Sequence, residues 1–191
     1  MSDQSPVLSF SASLISNNRD DQLRDFVIIY TLNDQSFAVM EKVVPNSGFP
    51  GGRFLQKMQT VNPETGYPYE PSELKIGTDL TLCGWRFHIY AASEGTLNTM
   101  EALADTFQES NLNEIMLRIR SELKPKISDF KTKITRMDKQ KRGKIPKDDL
   151  FNALDEFGIT VSPQEEITIF RRYQFADSSL FEYGDFIQFL E

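Results

Sequence analysis

Near residue 93 the hydrophobic period of the chain changes, and that change limits the folds it can reach. Before it, apolar and polar side chains alternate. In LTLCGWRFHIY (80–90), Leu80 and Leu82 alternate with Thr81 and Cys83, then Trp85, Phe87 and Ile89 with Arg86, His88 and Tyr90. A period of two sends one set into a core and leaves the other outside, His88 among the latter. FVIIYT (26–31) and SFAVME (36–41) are rich in β-branched and aromatic residues around the turn pair Asn33-Asp34, which predicts a hairpin. VLSFSASLI (7–15) reads as a further strand. After the change, Leu97, Met100, Leu103, Ala104 and Phe107 recur at helical intervals, and Leu112, Met116, Ile119 and Leu123 mark a second helix. Ile127, Phe130, Ile134 and Met137 mark a third, and Leu150, Phe151, Leu154 and Phe157 a fourth that Gly158 ends. Ser162-Pro163-Gln164-Glu165 opens the next with an N-cap, a first-turn proline and a capping-box glutamate. The expected class is α+β: a small, mostly antiparallel barrel or sandwich, then an all-α region, with the boundary between 93 and 111.

A chain of 191 residues is long enough for one domain or two small ones. No apolar run approaches the roughly 20 residues of a membrane helix, and MSDQSPVLSF lacks the basic start and long apolar stretch of a secretory signal. One cysteine, Cys83, excludes an internal disulfide framework and points to a reducing compartment. With one histidine, His88, it also leaves too few soft ligands for zinc. Neither a Cys83–His88 pair nor any serine shows the local pattern of a nucleophilic site, so no catalytic residue and no enzymatic activity are expected. The loop VPNSGFPGGRF (44–54) lacks the helix start and Lys-Ser or Lys-Thr pair of a phosphate cradle. Its Asn46, Gly48, Gly51 and Gly52, like Gly84 and Gly143, are expected as structural turns.

MDKQKRGKIPKDDL (137–150) has the outline of a calcium loop and the wrong atoms inside it. Numbered from Asp138, the turn glycine falls on Gly143 at the sixth position, Ile145 follows two places later, and Asp149 closes at the twelfth. Oxygen donors belong at the third and fifth positions, which hold Gln140 and Arg142, while Pro146 takes the ninth. A second loop, aligned on Tyr183-Gly184-Asp185-Phe186, offers Gln174, Ala176 and Ser178, with Ser179 at the glycine position. Neither gathers the clustered anions that micromolar affinity requires. Asp138, Gln140, Arg142 and Asp149 are therefore vestigial positions, no metal or other cofactor is expected, and phenylalanines 130, 151, 157, 170, 181, 186 and 189 supply the core instead.

The net charge of −7 hides an asymmetry. Between Arg118 and Lys147 stand twelve Lys or Arg against three acids, while from Asp148 onward ten acids face Arg171 and Arg172. The basic stretch is either a solvated helical face or a docking stripe for an acidic partner. Its candidate contacts are Arg118, Arg120, Lys124, Lys126, Lys131, Lys133, Lys139, Lys141 and Arg142.

RDFVIIYTLNDQSFAVMEKVVPNSGFPGGRFLQK, followed by YPYEPSELKIGTDLTLCGWRFHIY, closely resembles the DM-ten domain of ciliary EF-hand-containing (EFHC-type) proteins and of the protofilament-ribbon (Rib) proteins of axonemal doublet microtubules. The matching features are the paired strands with their acidic turn, Asn46-Ser47-Gly48, Gly51-Gly52, Ile76-Gly77 and the strand at Gly84, Arg86 and Phe87. The degenerate loop pair resembles the C-terminal end of the same proteins. The resemblance implies a pleckstrin-homology-like barrel (1–98), linking helices (99–122) and a degenerate EF-hand pair (123–191). It implies a structural protein of the cytoplasm and cytoskeleton, in the cilium or flagellum axoneme. There it would bind tubulin and neighbouring microtubule inner proteins and stabilise doublets, with neither nucleic acid nor membrane as partner. Members carry up to three such domains; this chain has one and reads as a small relative or the C-terminal part of a larger one, its initiating Met favouring the former. Two other readings are a calcium-responsive axonemal regulator and a lipid-binding module. For the latter, Arg19 and Arg24 lie among Asp20, Asp21 and Asp25, which repel phosphate.

Overall fold

The computed structural model describes residues 6–176 and 178–191, which form two compact units, residues 1–107 and 108–191. In the first unit, six antiparallel strands follow in the order β4-β3-β2-β1-β6-β5. They are β1 (Val7–Leu14), β2 (Asp25–Thr31), β3 (Ser36–Glu41), β4 (Gly52–Gln59), β5 (Asp79–Leu82) and β6 (Trp85–Ala92). The alternation seen in the sequence is kept: Leu8, Phe10 and Ala12 of β1, Phe26, Ile28 and Tyr30 of β2, and Phe87 and Ile89 of β6 are all fully buried. Thr31 pairs with Ser36 across the turn containing Asn33 and Asp34, which is the expected hairpin.

Ring contacts show how the sheet bends. Phe54 of β4 lies edge-on to Phe26 of β2 at 5.0 Å and to Phe87 of β6 at 6.1 Å. Strands four places apart can share a ring contact only if the sheet curls on itself. β4 and β5 are nevertheless end strands, so the structure is a half-barrel rather than a closed one. Helix α1 (Glu94–Ala102) is tied to β1 through the buried Thr96, whose hydroxyl accepts from the Ser9 N–H at 2.7 Å and donates to the Ser9 carbonyl at 3.2 Å.

Two expectations need correction here. Trp85 shares the alternation of Phe87 and Ile89 but is 43% exposed. It pairs with Leu82 on the last rung before the Cys83-Gly84 turn, where both residues are left-handed (φ 53° and 82°), and it meets the Phe54 ring at 5.2 Å. The alternation set its direction; the end of the sheet leaves it half uncovered. Leu103 is likewise 43% exposed because α1 stops at Ala102 and the backbone leaves helical geometry there.

The second unit is helical: α2 (Leu112–Leu123), α3 (Ile127–Met137), α4 (Lys147–Glu156), α5 (Pro163–Tyr173) and α6 (Tyr183–Leu190). The stretch read as linking helices, 99–122, divides between the units. α2 supplies Ile115, Met116, Ile119 and Leu123 to the second core, beside Phe130, Phe151, Phe181 and Phe186, with Phe157, Phe170 and Phe189 packed against it. α5 begins as its sequence announces, with the Ser162 hydroxyl accepting from the Glu165 N–H, the reciprocal capping-box bond in place and Pro163 at the first turn. Two helix–loop–helix pairs, α3–α4 and α5–α6, are joined through a two-stranded ribbon, β7 (Lys144–Pro146) against β8 (Leu180–Glu182), with Ile145 opposite Phe181 and both buried. No helix among the described residues is long and apolar enough to cross a membrane.

Candidate partner-binding surface

The loop between α3 and α4 is organised around Asp138. Its Oδ2 accepts from the Gly143 N–H at 2.7 Å and from the Tyr183 hydroxyl at 3.0 Å, and the residue is 5% exposed. Burial works against the charged carboxylate. The N–H groups of Arg142, Gly143 and Lys144 and the Tyr183 hydroxyl outweigh it, holding the acid below its ordinary 3.8. Tyr183 is displaced the other way, its phenol raised by burial and by the carboxylate it donates to. Because Tyr183 begins α6, this bond ties the two loops together, as does the Tyr183 N–H to the Gly143 carbonyl at 3.3 Å. Gly143 takes φ 73° and Lys141 φ 55°, which turns the backbone around the carboxylate. Gln140 and Arg142 are exposed, and Asp149 stands in the first turn of α4. Among the described residues no group of three or more His, Cys, Asp or Glu side chains is placed to hold a metal ion.

The structure divides the basic stripe. Arg118 forks onto Glu165 at 2.8 and 2.9 Å and donates to the Thr160 carbonyl at 3.1 Å, so it clamps α2 to the start of α5. Lys126 donates to the Phe157 carbonyl at 3.0 Å. Lys131 pairs with Glu191, Lys133 with Glu156, Lys144 with Glu182 and Lys147 with Glu166. The acids that follow the stripe in sequence thus fold back onto it. Among the described residues, Arg120, Lys124, Lys139, Lys141 and Arg142 have no carboxylate within ion-pair distance, Arg120 lying over the Phe189 ring. Arg136, not singled out from the sequence, joins them: it is exposed in the last turn of α3, beside the loop. Its signal was position, since a cation at a helix C-terminus next to a basic loop extends the same surface. Lys124 and Arg120 also border a cavity of about 410 Å³ with Leu117, Ile127 and Leu190.

In the β unit the outstanding cation is used up. Arg24 donates through Nε and Nη2 to Glu41 at 2.7 and 3.1 Å and through Nη1 to Asp21 at 3.0 Å. Its guanidinium lies 4.2 Å from the centre of the Phe49 ring and also over Phe26 and Phe54. The fork to Glu41 raises its pKa against the opposing effect of burial, with Asp21 adding to the rise. His88 is half-exposed, its Nδ1 2.8 Å from Asp79. The expected turn residues Asn46, Gly48, Gly51, Gly52 and Gly84 all have positive φ. Gly51 is the constrained one, because a Cβ there would meet Val43 Cγ2 at 2.9 Å and the Glu41 carbonyl at 3.1 Å.

A curled antiparallel sheet with a caged arginine, followed by paired helix–loop–helix units with outward cations, defines an α+β chain. Comparison with known proteins agrees in kind: the chain belongs to the DM10 domain family, whose model matches residues 1–96. It is 32% identical to EF-hand domain-containing family member C2 of Bos taurus over 182 residues, 89% of this chain and 24% of that protein. The Danio rerio protein of the same name is 27% identical over 176 residues, covering 88% and 24%. EF-hand domain-containing protein 1 of Homo sapiens is 32% identical over 123 residues, covering 62% and 19%. The chain thus spans about a quarter or less of these relatives, and none of the matched descriptions names an enzymatic activity.

Proposed function

We propose that the chain is a non-enzymatic structural protein of ciliary or flagellar axonemes that binds tubulin in the doublet lattice as a microtubule inner protein. We read the half-barrel as pleckstrin-homology-like and the two helix–loop–helix pairs as a degenerate EF-hand pair. The observation that carries the reading is the Asp138 loop, whose first acid is engaged by the protein's own donors while Lys139, Lys141 and Arg142 face outward. Such a surface suits an acidic protein better than an ion. The DM10 family supports the resemblance to ciliary EFHC-type proteins from which the axonemal setting is drawn, and neighbouring inner proteins are proposed as further contacts.

A calcium-responsive regulator is the second reading, favoured by the EF-hand wording of the relatives' names and opposed by Arg142 and Gln140 at ligand positions. The lipid reading loses its best cation, since Arg24 is bound to Glu41 and Asp21. Salt fractionation of isolated axonemes tests the proposal. A structural component of the doublet resists high salt and leaves only as the doublet is dismantled. Release in the first low-salt wash, or with calcium alone, overturns it.

A further inference from the structure

The geometry points to the Arg136–Arg142 segment as a preformed docking site for an extended acidic segment of a partner protein, an inference that rests on the helical unit facing an acidic partner. Arg136, Lys139, Lys141 and Arg142 fall within seven residues, are all exposed and have no ion-pair partner among the described residues. The neighbouring cations differ: Arg118, Lys131, Lys133, Lys144 and Lys147 each lie against a carboxylate of the same unit. Of the seven stripe cations without a carboxylate partner among the described residues, four lie in this segment, while Arg120, Lys124 and Lys126 lie in and just after the last turn of α2.

The loop is also held in shape before any partner arrives. Asp138 binds the Gly143 N–H and the Tyr183 hydroxyl, and the Lys141 N–H donates to the Asp138 carbonyl at 3.1 Å. A backbone fixed from inside loses little freedom on binding, so most of the attraction is kept. The single acid of the loop is turned inward. Asp148 and Asp149 belong to the first turn of α4, the exposed Asp185 borders a cavity with Gly143, and Glu182 is engaged by Lys144.

The occupant is a short acidic peptide stretch rather than a nucleic acid. The chain carries −7 overall and the cations of this segment span seven residues, so past the loop a long phosphate backbone meets a protein that is acidic on balance. A few carboxylates in an extended peptide engage the loop alone.

The test uses the intact chain and fluorescently labelled poly-L-glutamate of about 20 residues, read by anisotropy at increasing salt. Exposed pairs are individually weak, so four together set the expected size. Changing Arg136, Lys139, Lys141 and Arg142 together to Gln lowers affinity about tenfold or more and flattens its salt dependence, with the circular dichroism spectrum unchanged. Lys131→Gln with Lys133→Gln, which removes paired cations, stays within about twofold. Equal binding by the fourfold variant and the wild type, equal loss in both variants, or tighter binding of a single-stranded oligonucleotide of the same charge overturns the site. Wild-type chain that binds poly-L-glutamate yet fails to enter doublets leaves the site standing and removes the axonemal reading. Normal incorporation of the fourfold variant into doublets does the reverse.

Discussion

The two units use charge in opposite senses. In the β unit the most heavily engaged ion is a cation, Arg24, drawn into a cage of Phe26, Phe49 and Phe54 and neutralised by Glu41 and Asp21. In the helical unit the most deeply buried ion is an acid, Asp138, drawn into its loop by backbone donors and a phenol, while Lys139, Lys141 and Arg142 beside it face solvent. Charge consumed inside fixes a shape; charge left outside is available for recognition. The comparison assigns Arg24 to stability and the α3–α4 loop to contact.

The largest effect that sharpens the contrast lies within β6. Phe87→Ala removes a fully buried ring and is expected to lower stability by about 3–5 kcal/mol, whereas Trp85→Ala, two residues earlier, costs about 1–2 kcal/mol. Chemical denaturation followed by far-ultraviolet circular dichroism measures both, because Trp85 is the only tryptophan and is lost in one variant. Equal costs would mean that the half-barrel core extends to its last rung.

Arg24→Ala comes next, at about 2–3 kcal/mol, because it leaves Glu41 and Asp21 without their shared donor. Tryptophan fluorescence of Trp85 during urea unfolding reads this in the β unit. The fourfold Gln variant of the loop should leave that transition in place. A loop variant that unfolds the protein as readily as Arg24→Ala would erase the distinction between internal and external charge.

A smaller effect is pH-dependent. The native Asp138 carboxyl lies below its ordinary value, so its stabilisation is complete above about 3.8 and is lost as pH falls through that value and the lower native one. Helical signal at 222 nm should therefore show a steeper acid loss of thermal stability in the wild type than in Asp138→Asn as pH falls below about 4. Parallel curves would mean that the carboxylate does not organise the loop.

The sequence carried local information well. Periods of 2 and 3.6 placed the strands and helices, Ser162 and Glu165 marked the start of α5, and Gly143 marked the loop turn. It failed where partners are distant. Arg118 meets Glu165 across 47 positions, Lys131 meets Glu191 across 60, and Asp138 meets Tyr183 across 45. No periodicity reports such pairs, so the stripe looked more uniform than it is, and Arg24 showed only its acidic neighbours in sequence and not its aromatic cage. Trp85 failed for a different reason: alternation gives the direction of a side chain and not how far the core reaches beneath it.

The Asp138 loop is held by the protein itself, through the Gly143 N–H and the Tyr183 hydroxyl. Calorimetric titration of the intact chain with calcium, from micromolar to sub-millimolar, paired with thermal melts at each concentration, tests this most directly. No saturable heat and an unchanged melting temperature are expected. Saturable heat accompanied by a rise in melting temperature would contradict this.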